Sequence, residues 1–131
     1  MNVLLDTHVL IWLDMDSSRL SQTVVNYLTD PSNRLLLSAA SVWEIAIKMQ
    51  LGKLTLTDTL EAVLAQQIAI NGFHMLDVTA AHGMTAGFLP RLHKDPFDRL
   101  LIAQAIIEDA VLLTDDGLIT QYGYLGVRTD W

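Results

Sequence analysis

Val3, Leu4 and Leu5 run straight into Asp6, Thr7 and His8. Three apolar residues in a row, with no polar alternation, describe a short strand covered on both faces, the kind found inside a parallel sheet. The pattern returns at 110–114, where Ala-Val-Leu-Leu leads into Thr114, Asp115 and Asp116. In open α/β sheets, ligands bind just beyond the carboxyl ends of the strands. Two strands ending in hydroxyl and acidic residues therefore place acids side by side along one sheet edge.

The remaining pattern fills in around these two strands. Further apolar strands are predicted over 34–38 and 73–78, with a last edge strand over 126–128. Helical spacing falls between them. A short helix covers 9–13 and another 21–28 with Ser21 as N-cap. A third opens at Ser41 and stops at Gly52, and a fourth covers 60–70 with apolar residues at 60, 63, 64 and 68. A helix over 79–88 is interrupted by Gly83 and Gly87, and a strongly apolar one covers 96–108. Alternating strands and helices indicate an α/β fold with a mainly parallel sheet of four to five strands. At 131 residues the chain is read as a single domain, 1–131.

No cysteine is present, which excludes disulfides and thiolate metal sites and is compatible with the cytoplasmic location we expect. The N-terminus has no cationic leader, and Asp6 breaks its apolar run, so neither a signal peptide nor a membrane span is expected. The formal charge of −7 argues against passive, charge-driven binding of nucleic acid. It does not argue against a nuclease, because clustered metal-binding acids lower the net charge. An apolar fraction of 51% and a mean hydropathy of +0.34 leave apolar surface for a dimer or partner contact.

Each candidate acid has two readings. Glu44 stands three residues after Ser41, the spacing of a capping box. It also lies within an apolar helix, where a carboxylate needs a partner, and Lys48 at i+4 is available. Asp95-Pro96-Phe97-Asp98 suits a helix start, with Asp95 as N-cap and Pro96 at the first position. Capping explains Asp95 better than Asp98, which begins the inward face of the apolar helix. Asp115 and Asp116 precede Gly117, and either suits a turn. Carboxylates gathered at one sheet edge repel one another unless a cation compensates. Oxygen ligands without Cys favour Mg²⁺, with Mn²⁺ as substitute. Such an ion polarises a phosphodiester and acidifies water. His8 and His93 flank the acids but are read as non-ligands. Lys48, Arg91, Lys94 and Arg99 are read as solvated charges with phosphate contact as the alternative. Trp12, Trp43 and Phe97 are read as core.

Four segments, LLDTHVLIW (4–12), SAASVWEIAIKMQLGKL (38–54), LPRLHKDPFDRLLIAQA (89–105) and LLTDDGLI (112–119), together resemble the PIN-domain family, and within it VapC-type toxins of bacterial toxin–antitoxin pairs. The resemblance runs in order over nearly the whole chain. It implies a three-layer α/β/α PIN fold and an Mg²⁺- or Mn²⁺-dependent endoribonuclease acting on RNA. It also implies a homodimer, and inhibition by a cognate antitoxin protein. The family's four acids map to Asp6, Glu44, Asp98 and Asp116, leaving Asp115 as the variable position and Asp95 as an outer-shell residue behind the ligands. Thr7 and Thr114 would orient carboxylates or waters from behind. As the first acid of a crowded set, Asp6 is expected to carry a charge that the fold tolerates poorly.

Rival phosphoryl-transfer folds lack their signatures. A haloacid-dehalogenase-like site needs a second acid at position 8, which is His, and a receiver-like site needs paired acids after the first strand. No Gly-rich turn follows that strand to bind a dinucleotide. The alternative from another class is a catalytically inactive PIN-like scaffold that only binds a partner protein or RNA.

Overall fold

A computed structural model describes residues 1–131. Five strands form one sheet in the order β3-β2-β1-β4-β5, and every pairing is parallel. They are β1 (Asn2–Leu5), β2 (Arg34–Ser38), β3 (His74–Leu76), β4 (Ala110–Leu113) and β5 (Arg128–Asp130). The central strands are covered on both sides, as their unbroken apolar runs require. Val3, Leu5, Leu35, Leu37, Val111 and Leu113 face one core. Leu4, Leu36 and Leu112 face the other.

The first core is closed by α1 (Thr7–Met15), α2 (Gln22–Thr29), α3 (Ala39–Gln50) and α4 (Leu60–Asn71), which contribute Val9, Leu10, Val24, Ile45 and Val63. The second is closed mainly by α6 (Pro96–Ile107) through Leu101, Ile102 and Ala105. Ile119 of the short α7 (Gly117–Thr120) and Tyr122 join it. Helix α5 (Ala80–Phe88) packs against α6. The expected three-layer α/β/α architecture is met.

Some boundaries differ from the sequence expectation for identifiable reasons. Helix α3 starts at Ala39, with Ser38 as N-cap bonding Ala40 N at 3.0 Å. Ser41 therefore lies inside the helix, and the Ser41–Glu44 capping box does not form. The last strand starts at Arg128 instead of Gly126, because Gly126 adopts φ +97° to end a 3₁₀ turn over Gln121–Leu125. Gly83 and Gly87 do not interrupt α5, and nothing lies within 4 Å of where their Cβ atoms would be, so no close approach demands glycine at either position.

Chain order reverses between β1 and β4. The chain steps outward from β1 to β2 and β3, then returns to lay β4 on the other side of β1. A crevice at the carboxyl ends of two such strands is the standard ligand position in doubly wound sheets. Asp6 follows β1 and Asp116 lies just beyond β4.

Candidate metal centre

Asp6, Asp95 and Asp116 each cap a helix. Asp6 is the N-cap of α1 and accepts a hydrogen bond from His8 N at 3.3 Å. Asp95 caps α6 through Phe97 N (2.8 Å) and Asp98 N (3.2 Å), as its helix-start reading predicted. Asp116 caps α7 through Leu118 N at 2.8 Å. The amino ends of α1 and α6 carry partial positive charge, which offsets some of the negative charge collected there.

Thr114 joins the two sides of the crevice. Its hydroxyl donates to Asp6 Oδ2 at 2.6 Å and accepts from Asp116 N at 3.1 Å. Thr7, expected to act similarly, instead donates to Ser41 Oγ at 2.9 Å, a buried link from α1 to α3.

Asp98 and Asp116 meet around His93. The His93 Nε2 lies 2.8 Å from Asp98 Oδ2 and 3.5 Å from Asp116 Oδ2. Its Nδ1 accepts from Asp95 N at 3.3 Å, so in the neutral ring the proton sits on Nε2, facing the carboxylates. His93, Asp98 and Asp116 have the spacing of a metal-binding group, but this tautomer makes the imidazole a donor that orients Asp98. The ring is fixed from a distance: His93 N donates to the hydroxyl of Tyr122, which donates to Pro90 O. The sequence reading of His93 as a non-ligand agrees with this, but that reading missed its contact with the acids. A lone loop histidine has no periodicity to betray it. Its position two residues before Asp95 was the available signal.

Glu44 is 5% exposed and pairs through Oε2 with Lys48 Nζ at 3.0 Å. Its Oε1 is buried with no hydrogen-bond partner. A buried carboxylate oxygen left unpaired is costly, and a cation would satisfy it. Asp115 is exposed and takes no part.

The electrostatic cost of gathering acids falls on Asp98. Burial and the neighbouring charges of Asp95, Asp6 and Glu44 push its carboxyl up to about 7, against a smaller pull down from His93. Asp6 behaves in the opposite way. Its burial is outweighed by hydrogen bonds from His8 and Thr114, and its carboxyl is held below the usual range. The same contact raises His8. The expectation that Asp6 is the poorly tolerated charge is therefore corrected: the fold supports that charge and strains at Asp98. Hard oxygen donors, the unpaired Glu44 oxygen and the crowded Asp98 all fit a divalent cation of the Mg²⁺ type.

The surrounding cations and aromatics divide. Arg99 donates to the carbonyls of Ala86, Gly87, Leu89, Pro90 and His93, and so clasps the loop that carries His93. Trp12 packs on the first core, as expected. Trp43 does not; it is 61% exposed and meets Phe97 edge-on at 5.2 Å between ring centroids.

The chain belongs to the PIN domain family, whose profile matches residues 3–123. No curated protein matches it in sequence. Among solved structures it is similar in fold to VapBC2 from Rickettsia felis bound to a promoter DNA fragment. That likeness covers 99% of this chain and 98% of that one, at 17% identity and a TM-score of 0.71. It is similar also to VapBC-1 from nontypeable Haemophilus influenzae, with 18% identity, coverage of 99% and 97%, and a TM-score of 0.66. A toxin–antitoxin complex from Klebsiella pneumoniae matches at 15% identity, covering 87% and 86% with a TM-score of 0.57.

Proposed function

We propose that this chain is a metal-dependent endoribonuclease and the toxin of a toxin–antitoxin pair. The reading is carried by one observation: beyond β1 and β4, Thr114 bonds both Asp6 and the Asp116 backbone and His93 lies between Asp98 and Asp116, while Glu44, whose charge acts on Asp98, keeps a buried oxygen with no protein partner. Membership of the PIN family and the likeness to VapBC assemblies support the nuclease and toxin parts.

In this reading Asp6, Glu44, Asp98 and Asp116 hold Mg²⁺, with Mn²⁺ as substitute. Bound there, the ion supplies Lewis acidity toward a phosphodiester and acidifies the attacking water. The protein's own groups do the rest. Thr114 fixes Asp6 and the start of the Asp116 turn, and His93 fixes Asp98. One carboxylate of the set accepts the proton of the attacking water. Single-stranded or loop RNA is the substrate class, since unstacked strands reach a shallow crevice most easily. An antitoxin protein covers the site. Self-association completes the assembly, using apolar surface such as Phe88, which is 89% exposed.

The test is cleavage of single-stranded RNA by the purified chain in Mg²⁺, with EDTA as control. Cleavage should disappear in EDTA and in Asp6→Asn. Equal rates for Asp6→Asn and wild type would sink the assignment, and no metal-dependent cleavage at all would favour the scaffold alternative.

A further inference from the structure

Beside the acids lies a cleft of about 360 Å³ bounded by Gly87, Arg91, His93, Lys94, Pro96 and Arg99. No large apolar side chain lines it. The chain has 15 acids and 8 Lys and Arg residues, so acid is in surplus. Lys48 pairs with Glu44 and Arg128 with Asp109. Arg91 and Lys94 are exposed and make neither an ion pair nor a side-chain hydrogen bond. Two unpaired cations therefore face one polar cleft despite a surplus of acid.

The cleft is also built. Arg99, which also lines it, is committed to five carbonyls, which fixes residues 86–93 in place and leaves Arg91 and Lys94 free. His93, whose Nε2 lies 2.8 Å from Asp98 Oδ2, also lines it. An anion here would meet the charges of Arg91 and Lys94 beside acids that repel it. Resting on the ribonuclease reading, we propose that Arg91 and Lys94 bind a backbone phosphate of the cleaved RNA strand, one that neighbours the scissile phosphate, positioning the strand across an otherwise acidic surface. Phosphate contacts of this kind set register and orientation and add salt dependence, without reading bases.

The test compares steady-state cleavage of a single-stranded RNA in Mg²⁺ by wild type, by Arg91→Ala/Lys94→Ala and by Arg34→Ala. Arg34 begins β2 at the opposite end of the sheet and serves as the charge control. The double variant should raise KM by about 10- to 100-fold with kcat nearly unchanged, and should lower the salt dependence of kcat/KM by about one to two in logarithmic slope. Arg91→Lys/Lys94→Arg should recover most of the loss, and Arg34→Ala should cost nothing. Wild-type KM and slope in the double variant would overturn the proposal while leaving the ribonuclease reading intact, as would an equal loss in Arg34→Ala. Inhibition by inorganic phosphate as strong as by an RNA oligonucleotide would assign the cleft to a free anion and overturn the strand assignment. A wild type that cuts no RNA would remove both readings.

Discussion

Replacing Asp98 with Asn should stabilise the metal-free protein, by an amount that depends on pH. The Asp98 carboxyl moves from 3.8 when unfolded to about 7 when folded. Because the folded value is the higher one, the stability linked to this group is complete below pH 3.8 and is lost progressively as pH rises to 7. Three units correspond to about 4 kcal/mol, which solvent at the rim of the crevice reduces to about 2–4 kcal/mol. Asparagine keeps the shape and can still accept the His93 hydrogen bond, but it never ionises. In urea unfolding with EDTA, the advantage of Asp98→Asn over wild type should grow by about 2 kcal/mol between pH 5 and pH 8. Saturating Mg²⁺ should then stabilise wild type but not the variant, erasing that advantage. A variant no more stable than wild type at pH 8, or equally advantaged at pH 5 and pH 8, would refute the idea that crowded charge is concentrated on Asp98.

Asp6→Asn should have the reverse sign. The folded Asp6 carboxyl is depressed, so its contribution is present above 3.8 and is lost as pH falls through the folded value. At neutral pH without metal the variant should be less stable by about 1–2 kcal/mol, read by the same urea series, because it weakens the charge-assisted bonds from Thr114 and His8. Arg99→Lys should destabilise by about 2–3 kcal/mol and lower cleavage as well, since an ammonium cannot fork to five carbonyls. A lysine variant with wild-type stability would remove Arg99 as the clasp of the His93 loop.

The layers of this fold were legible because both faces of the sheet are buried. Leu4 facing one core and Val3 and Leu5 the other leaves no alternation, which is what marked β1 as an inner strand. The acids were legible because they close such strands or start helices. The start of α3 was misplaced because Ser38 and Ser41 are both capable caps and Glu44 completes a box with the wrong one. Ser38 takes the cap, and the Ser41 hydroxyl instead accepts from Thr7, 34 residues away. Trp43 was assigned to the core because α3 is apolar nearly all round, and only packing against Phe97 of α6 reveals which side faces out. His93 owes its place to Tyr122, a contact 29 residues long that no local pattern announces. Nor does spacing reveal that the same set of acids holds one charge comfortably, at Asp6, and another under strain, at Asp98.

The central claim, that four carboxylates from distant segments jointly hold a divalent cation, is tested most directly by anomalous diffraction from crystals soaked in Mn²⁺. The account predicts a peak within bonding distance of Asp6, Asp98 and Asp116 oxygens, near the unpaired Oε1 of Glu44. A fully occupied peak elsewhere, or none at the carboxyl ends of β1 and β4, would contradict it.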